Sequence, residues 1–419
     1  MLPIIKNSVF IIFAFFSFLQ FGCSDYYKDF DWNGGSIPGF TRTYGSLGYD
    51  YGWNIAHSPF DDGIVLTGRK QKIINGESNL WAIKTDNKGL IIWEKEFGGS
   101  RNEDGYDVLC TSDGSYIFIG HTWSFGKNQQ IYAIKTDLHG NVKWENNYGG
   151  SMWEVGHSII ESNDGNYVIA GYSNSPGISS GNTDFYMIKI DPNGNVIWEK
   201  SYGNKSSPNH EWAYDLIEIY DTGFLIVGAR DRYTDGARNS LIVRTDKNGN
   251  FLWEKELTFD GQIDDVIYSA SISKFGSEIG QIYLCLSVNT ASSPNDYYPQ
   301  IIKMDSYGNI DWQRKINAKS KKYHQFKAVI GNNDELVLVG SSYQELSSGY
   351  DENAFLTKID KNGNLIWSYS YGSYDEDDWG WSVDLTPYDN IIFIGSTKSF
   401  KSSLFDVFLV GTNPNGLNQ

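Results

Sequence analysis

Cysteine is scarce in this chain: 419 residues include three, Cys23, Cys110 and Cys285. Cys110 and Cys285 lie in apolar, strand-like runs three repeats apart, and Cys23 has a separate role described below. No disulfide framework is expected, so the fold must rest on its own core. Positive charge is also in short supply. Lys and Arg number 34 against 51 Asp and Glu, a formal charge of −17. A surface this acidic argues against nucleic acid as a partner and against direct binding to anionic lipid. Sustained helical periodicity is missing from end to end. The six histidines (57, 121, 139, 157, 210 and 324) show no metal-helix spacing. H-E-x-x-H, G-x-S-x-G, a P-loop and Cys-x-x-Cys-His are all absent. The acidic run at 374–378 lacks the spacing of an EF-hand. No catalytic residue and no metal ligand is assigned, and no cofactor is expected.

What the chain does have is a repeat. Asp191-Pro192-Asn193-Gly194-Asn195-Val196-Ile197-Trp198 separates two strand-like runs, and its Asn-Gly pair suits a tight turn at positive φ. The same D-x-x-G-x-x-x-W spacing recurs at Asp86, Asp137, Asp246, Asp305 and Asp360, and a remnant closes the chain at Asn413 to Leu417. The tryptophans fall at 93, 144, 198, 253, 312 and 367, a period of 51 to 59 residues. Phe40 occupies the equivalent position one period before Trp93, which gives seven units. A period near 50 residues is the mark of a propeller or solenoid.

Each unit reads as four strands. In the third they are Gly156 to Glu161, the doubly buried apolar run Tyr167 to Gly171, Asp184 to Ile190, and Val196 to Tyr202. The expectation is an all-β, seven-bladed β-propeller over 38–417 with four-stranded blades. The chain starts with a lone fourth strand and ends after a third. The N-terminal strand should therefore complete the last blade and close the ring.

Residues 1–22 read as a targeting segment: Lys6, a mostly apolar stretch from Ser8 to Phe21, then Gly22-Cys23. The apolar run is short for a spanning helix, and a small residue followed by cysteine ends it. It resembles a bacterial lipoprotein signal peptide, which implies lipidation at Cys23, a tether over 23–37 and a membrane anchor of acyl chains. The alternative is an anchor that stays attached. Ser24-Asp25 and the following acidic and aromatic residues resemble the surface-export signal of Bacteroidetes lipoproteins. The repeats themselves resemble the pyrroloquinoline-quinone-type propeller repeat, and still more that of bacterial surface lipoproteins. The quinone-binding residues have no counterparts here, so dehydrogenase activity is not implied.

The loops leading into the first strands share an acid, any residue, a small residue and an aromatic or His. Examples are Asp50 to Trp53, Glu103 to Tyr106, Glu154 to His157, Glu211 to Tyr214 and Asp378 to Trp381. They read either as a ring of carboxylates and aromatics around the pore or as a packing device between blades. A Lys or Arg recurring in the third strand (84, 135, 189, 244, 303, 358) reads as a satisfied structural charge. Units four to six break the pattern in loops at 229–239, 289–300 and 317–325. The candidate binding residues are therefore Arg230, Arg232, Tyr233, Tyr297, Tyr298, Lys321, Lys322 and His324. The function expected is a binding or interaction scaffold: a monomer, lipid-anchored at the outer membrane of the cell envelope, whose partner is a protein or a glycan. The alternative is a polysaccharide-active hydrolase or lyase with acids on the face of those loops.

Overall fold

The structure, a computed structural model, describes residues 39–417 apart from 75, 180–181, 204–208, 221, 233–235, 260–261, 275–277, 291–292, 317–321, 332, 347–348, 374–375 and 400–403. Within strands it leaves out the side chains of 262–263, 290, 293–296, 322–326, 344–346 and 349–350. The segment up to residue 38, with Cys23 and the expected tether, lies outside the described residues.

Seven antiparallel sheets of four strands form a ring. Their inner strands are Tyr51–His57, Glu103–Thr111, Glu154–Glu161, Glu211–Glu218, Gln262–Ile272, Lys322–Ile330 and Asp378–Leu385. In the seventh blade the outermost strand is Phe40–Tyr44, which pairs Phe40 with Gly411 and Thr43 with Phe408. The first strand of the chain thus closes the last blade, as the repeat register requires.

The core lies between blades. Ile117, Ile119 and Ile131 of the second blade pack with Ile159, Ile169 and Ile188 of the third, and the other seams repeat this arrangement. Second and third strands are buried on both faces, whereas the outermost strands alternate with solvent. Each such aliphatic side chain, fully buried, contributes roughly 1.5–3 kcal/mol.

The repeated turn stitches one blade to the next. Asp191 Oδ1 accepts from the Asn193 and Asn195 amides at 2.9 and 2.8 Å, and Gly194 sits at φ +84°. A β-carbon on Gly194 would lie 3.1 Å from Cδ2 of Trp144, the outer-strand tryptophan of the preceding blade. Trp144 Nε1 donates to Pro192 O of the same turn at 3.0 Å. At the closing seam Phe40 takes the tryptophan's place against Gly89. Gly165 has a similar φ of +77° but open space around it. In urea melts, Gly165→Ala should cost only the backbone penalty of about 1–2 kcal/mol. Gly194→Ala should cost clearly more, because its β-carbon would also run into Asn146 Nδ2 and crowd Trp144, both on the outer strand of the preceding blade. Equal losses would mean that the seam contributes nothing.

Several local expectations shift. The acid of the first-strand motif is not in a loop: Glu103, Glu154, Glu211 and Asp378 are the first residues of their strands. Segment 289–300 is largely strand, since Ser293–Met304 pairs with Ile282–Thr290 as a long hairpin. Lys322 and His324 likewise belong to an inner strand rather than a loop.

Candidate functional site

All inner strands start at the same end of the ring, here the upper face, where the connections from fourth to first and from second to third strands also lie. The opposite end is the lower face.

Every blade breaks the register of its inner strand at one common level, and blade five breaks it a second time between Gln262 and Asp264. The bulges fall between Gly52 and Asn54, Gly105 and Asp107, Gly156 and Ser158, Ala213 and Asp215, Ile267 and Ser269, His324 and Lys327, and Gly380 and Ser382. A bulge leaves one residue unpaired and re-aims its side chain. In six blades that residue is Trp53, Tyr106, His157, Tyr214, Tyr268 or Trp381, and their rings meet in sequence around the axis. Centroids lie 4.8 Å apart for Trp381 and Trp53, 6.0 Å for Trp53 and Tyr106, and 4.9 Å for Tyr106 and His157. His157 and Tyr214 follow at 5.4 Å, and Tyr214 and Tyr268 at 5.2 Å. All six side chains are half-buried. Toward blade seven the belt widens into a platform: Tyr51 stacks on Trp53 at 5.4 Å, and Trp379 on Phe405 at 4.2 Å.

The next residue of each inner strand is polar and forms the layer below. Asn54 donates to Asp107 and accepts from Lys327 Nζ at 3.1 Å and from Ser382 Oγ at 2.7 Å. Asp107 accepts from the Ile159 amide at 2.8 Å, and Asp215 from the Ala270 amide at 3.0 Å. Inner strands are sheet edges, so their free amides face the pore, and these carboxylates satisfy them. Burial pushes the Asp107 carboxyl up to about 6 despite Lys327.

The acids above the bulges do not line the pore. Glu103 accepts from the Gly99 amide at 3.0 Å and Thr122 Oγ1 at 2.8 Å. Glu154 accepts from the Gly150 amide at 3.0 Å and Ser173 Oγ at 2.8 Å, and Asp378 from the Ser373 amide and Thr397. Each clamps two loops of its own blade and is almost wholly buried. The packing device is what the repeat encodes. The third-strand cations are likewise held inside: Lys84, Lys135 and Lys189 pair with Asp61, Asp113 and Asp164.

The sequence-derived candidates separate. Arg230 is buried, giving Nε to Glu211 at 2.8 Å and Nη1 to Glu254 and Glu256 at 3.1 and 3.2 Å. Tyr298 packs into the core around blade five, under Lys315 Nζ at 3.8 Å. Tyr297 donates to Asp264 at 2.9 Å, beside Arg238, whose Nη2 donates to the same oxygen at 2.8 Å. Arg232 is half-buried next to Asp265. Tyr233 and Lys321 lie outside the described residues, as do the side chains of Lys322 and His324.

A group that the sequence reading did not single out stands at the mouth between blades one and two. Arg69 lies over the Tyr51 ring at 4.9 Å, with Nε 3.7 Å from Asp104 Oδ1. Neither of those atoms has a hydrogen-bond partner, nor have His121 Nδ1, Trp53 Nε1 or Trp379 Nε1. Buried polar groups are usually paired, so these five atoms at the rim of the aromatic belt leave both donors and an acceptor there for a ligand. Burial pushes His121 below the usual imidazole range, and burial with His121 alongside takes His157 down to about 3. Both rings are neutral at neutral pH. Burial and Asp104 hold the Tyr106 hydroxyl well above the usual phenol range. Among the described residues no three metal-ligating side chains converge.

Comparison with known proteins supports the architecture. The arylsulfotransferase (ASST) family profile matches residues 55–212, less than half of the chain. No curated protein is significantly similar in sequence. Among solved structures, a polysaccharide lyase, an ulvan lyase, has a TM-score of 0.62 at 8% identity, covering 89% of this chain and 96% of its own. The polysaccharide lyase Uly1 has a TM-score of 0.53 at 9% identity, with 93% and 94% covered. The WD40 domain of Pan2 from Neurospora crassa also has a TM-score of 0.53, at 11% identity, with 88% and 95% covered. At such identities the likeness is one of fold: this chain is similar to these propellers in architecture.

Proposed function

We propose that the protein is a membrane-anchored, glycan-binding propeller of the cell envelope, with its site in the aromatic mouth of the upper face. The observation that carries this reading is the continuous belt of bulge aromatics. A pyranose ring has an apolar C–H face and a rim of hydroxyls. Half-buried Trp and Tyr offer an apolar face and a polar edge to match it. Arg69, Asp104 and His121 add both donors and acceptors at the rim.

The test is calorimetric titration with soluble oligosaccharides, one set of neutral hexopyranoses and one containing hexuronates. Saturable binding is expected, and Trp53→Ala and Trp381→Ala should each weaken it at least about tenfold, roughly 1.4 kcal/mol. Failure of every oligosaccharide to bind, or wild-type affinity in both variants, overturns the reading.

One observation favours a second reading, a polyuronate lyase using the same mouth. Tyr106 lies against His121 and His157, with Arg69 nearby. In β-elimination a base removes the proton α to the uronate carboxylate. The β C–O bond then breaks, and the leaving oxygen takes up a proton. Neutral His121 suits the first step and protonated Tyr106 the last, while Arg69 would face the carboxylate. One lyase of similar fold was solved with a glucuronate-containing saccharide. Ultraviolet absorbance of an unsaturated uronate product, lost in Tyr106→Phe with binding retained, would favour this reading.

A further inference from the structure

We infer that the lower face of the ring is a bilayer-contact surface, which aims the aromatic mouth away from the membrane. This rests on the lipid anchor proposed above, but the observation behind it is separate.

Among the described residues, 22 large apolar side chains are exposed, and sixteen lie at the lower end, in turns or in the first residues of outer strands. Ile92, Ile197, Leu252 and Ile366 are 59%, 50%, 53% and 46% exposed. Each immediately precedes the tryptophan that enters the next seam, so the rim recurs in four of the seven blades. At the turn tips Tyr307 and Tyr388 reach 81% and 79%. Scattered exposed aliphatics are normal, but a band gathered on one face is not. Lys143 and Asp311 hold the same position in blades two and five, so the fold itself does not require an aliphatic there.

The chain itself names the occupant. Phe40 begins the outer strand of blade seven at the lower end. The residues before it, with the apolar run from Ser8 to Phe21 and Cys23, therefore join the ring on this face. A tether fixed in the bilayer holds the rim at high local concentration beside it, so weak partition at each position suffices. Aliphatics with tyrosines at the tips have the composition suited to a membrane interface. Because the protein carries a formal charge of −17, this contact should work on zwitterionic lipid, where repulsion is least.

The experiment uses the full lipidated chain in phosphatidylcholine vesicles containing doxyl-labelled lipid. Ile197→Cys, Leu252→Cys and Tyr388→Cys report on the lower face. Ile73→Cys and Trp153→Cys, also exposed, report on the upper one. Each variant carries a bimane label; Cys285 is buried and Cys110 half-buried, and unsubstituted protein taken through the same labelling sets the background. Quenching severalfold stronger at the three lower positions is expected. Ile197→Glu with Leu252→Glu, added to Tyr388→Cys, should still float with the vesicles yet lose that quenching. Equal quenching on both faces, in protein that floats, overturns the contact surface alone. Protein that does not float overturns the anchor, and this inference with it.

Discussion

Replacing Arg230 by methionine should lower the unfolding free energy by about 3 kcal/mol or more at pH 8. The guanidinium sits inside blade four, with Nε 2.8 Å from Glu211 and Nη1 shared between Glu254 and Glu256. The Glu211 side chain is 1% exposed. Without the arginine an uncompensated carboxylate is left in the blade, which costs far more than the pair contributes net. Burial has already pushed Glu211 up to about 7 against the pull of Arg230. In the variant, protonation offers the easier escape, so the deficit should shrink as the pH falls toward 5. Arg101→Ala, at an exposed position, is the control and should change stability by less than about 0.5 kcal/mol. If Arg230→Met unfolds within 1 kcal/mol of wild type at pH 8, the intra-blade ion cluster is not what the arginine is for. It would then be available to a ligand.

Acidification from pH 8 to 5 should stabilise the protein, raising the melting temperature by about 5 °C or more. Burial pushes Asp50, Asp107, Asp265 and Asp378 up to about 6, and Glu211 to about 7. The folded chain therefore holds protons that the unfolded chain has released. Stability is greatest below the raised values and falls as pH rises from about 4, the ordinary carboxyl range, through about 7. His121 and His157, both pulled down by burial, oppose this in the same window, because their unfolded imidazoles take up protons that the folded rings refuse, but they are two groups against five. The salt-bridged acids act in another window. Partial burial pulls Asp113 upward, yet its bond from Lys135 keeps it at about 2, so its contribution is lost only in stronger acid. Relief of self-repulsion acts in the same direction as the buried acids, so a variant is needed to separate the two. Asp107→Asn should flatten the slope between pH 5 and 7 while leaving the bulk charge almost unchanged. A melting temperature that is constant or rising from pH 5 to 8 would rule the account out.

The architecture was legible because the seam is written locally. Gly194 must occupy positive φ, Asp191 must receive two amides, and Trp198 must follow at fixed spacing. All three signals lie within eight residues and repeat. The extra length at 289–300 was visible, but its form was not. Ser293 to Gln300 is polar enough to read as a loop, yet it continues a ladder with 282–290. The mouth was half visible. Trp53, Tyr106, His157, Tyr214 and Trp381 stood out by position, but only a register break shows that they share one belt. Tyr268 escaped because its neighbour is Ile267 rather than a small residue. Arg69 and Asp104 belong to different repeats and meet only across a seam. The departure of units four to six from the pattern pointed toward Arg230, which the blade itself occupies.

The strand that seals the ring also sets the order in which it can be made. Phe40 is among the first described residues to be synthesised, and its partner Gly411 among the last. That pairing spans nearly the whole chain, and contacts of such separation form slowly. Six blades can complete themselves from neighbouring sequence. The seventh must wait for the C-terminal segment, and until Asp406–Thr412 arrives Phe40–Tyr44 has no strand to pair with and is open to other chains. The interval before that pairing forms, rather than any weakness of the finished ring, is therefore when this protein is most open to strand exchange with other chains.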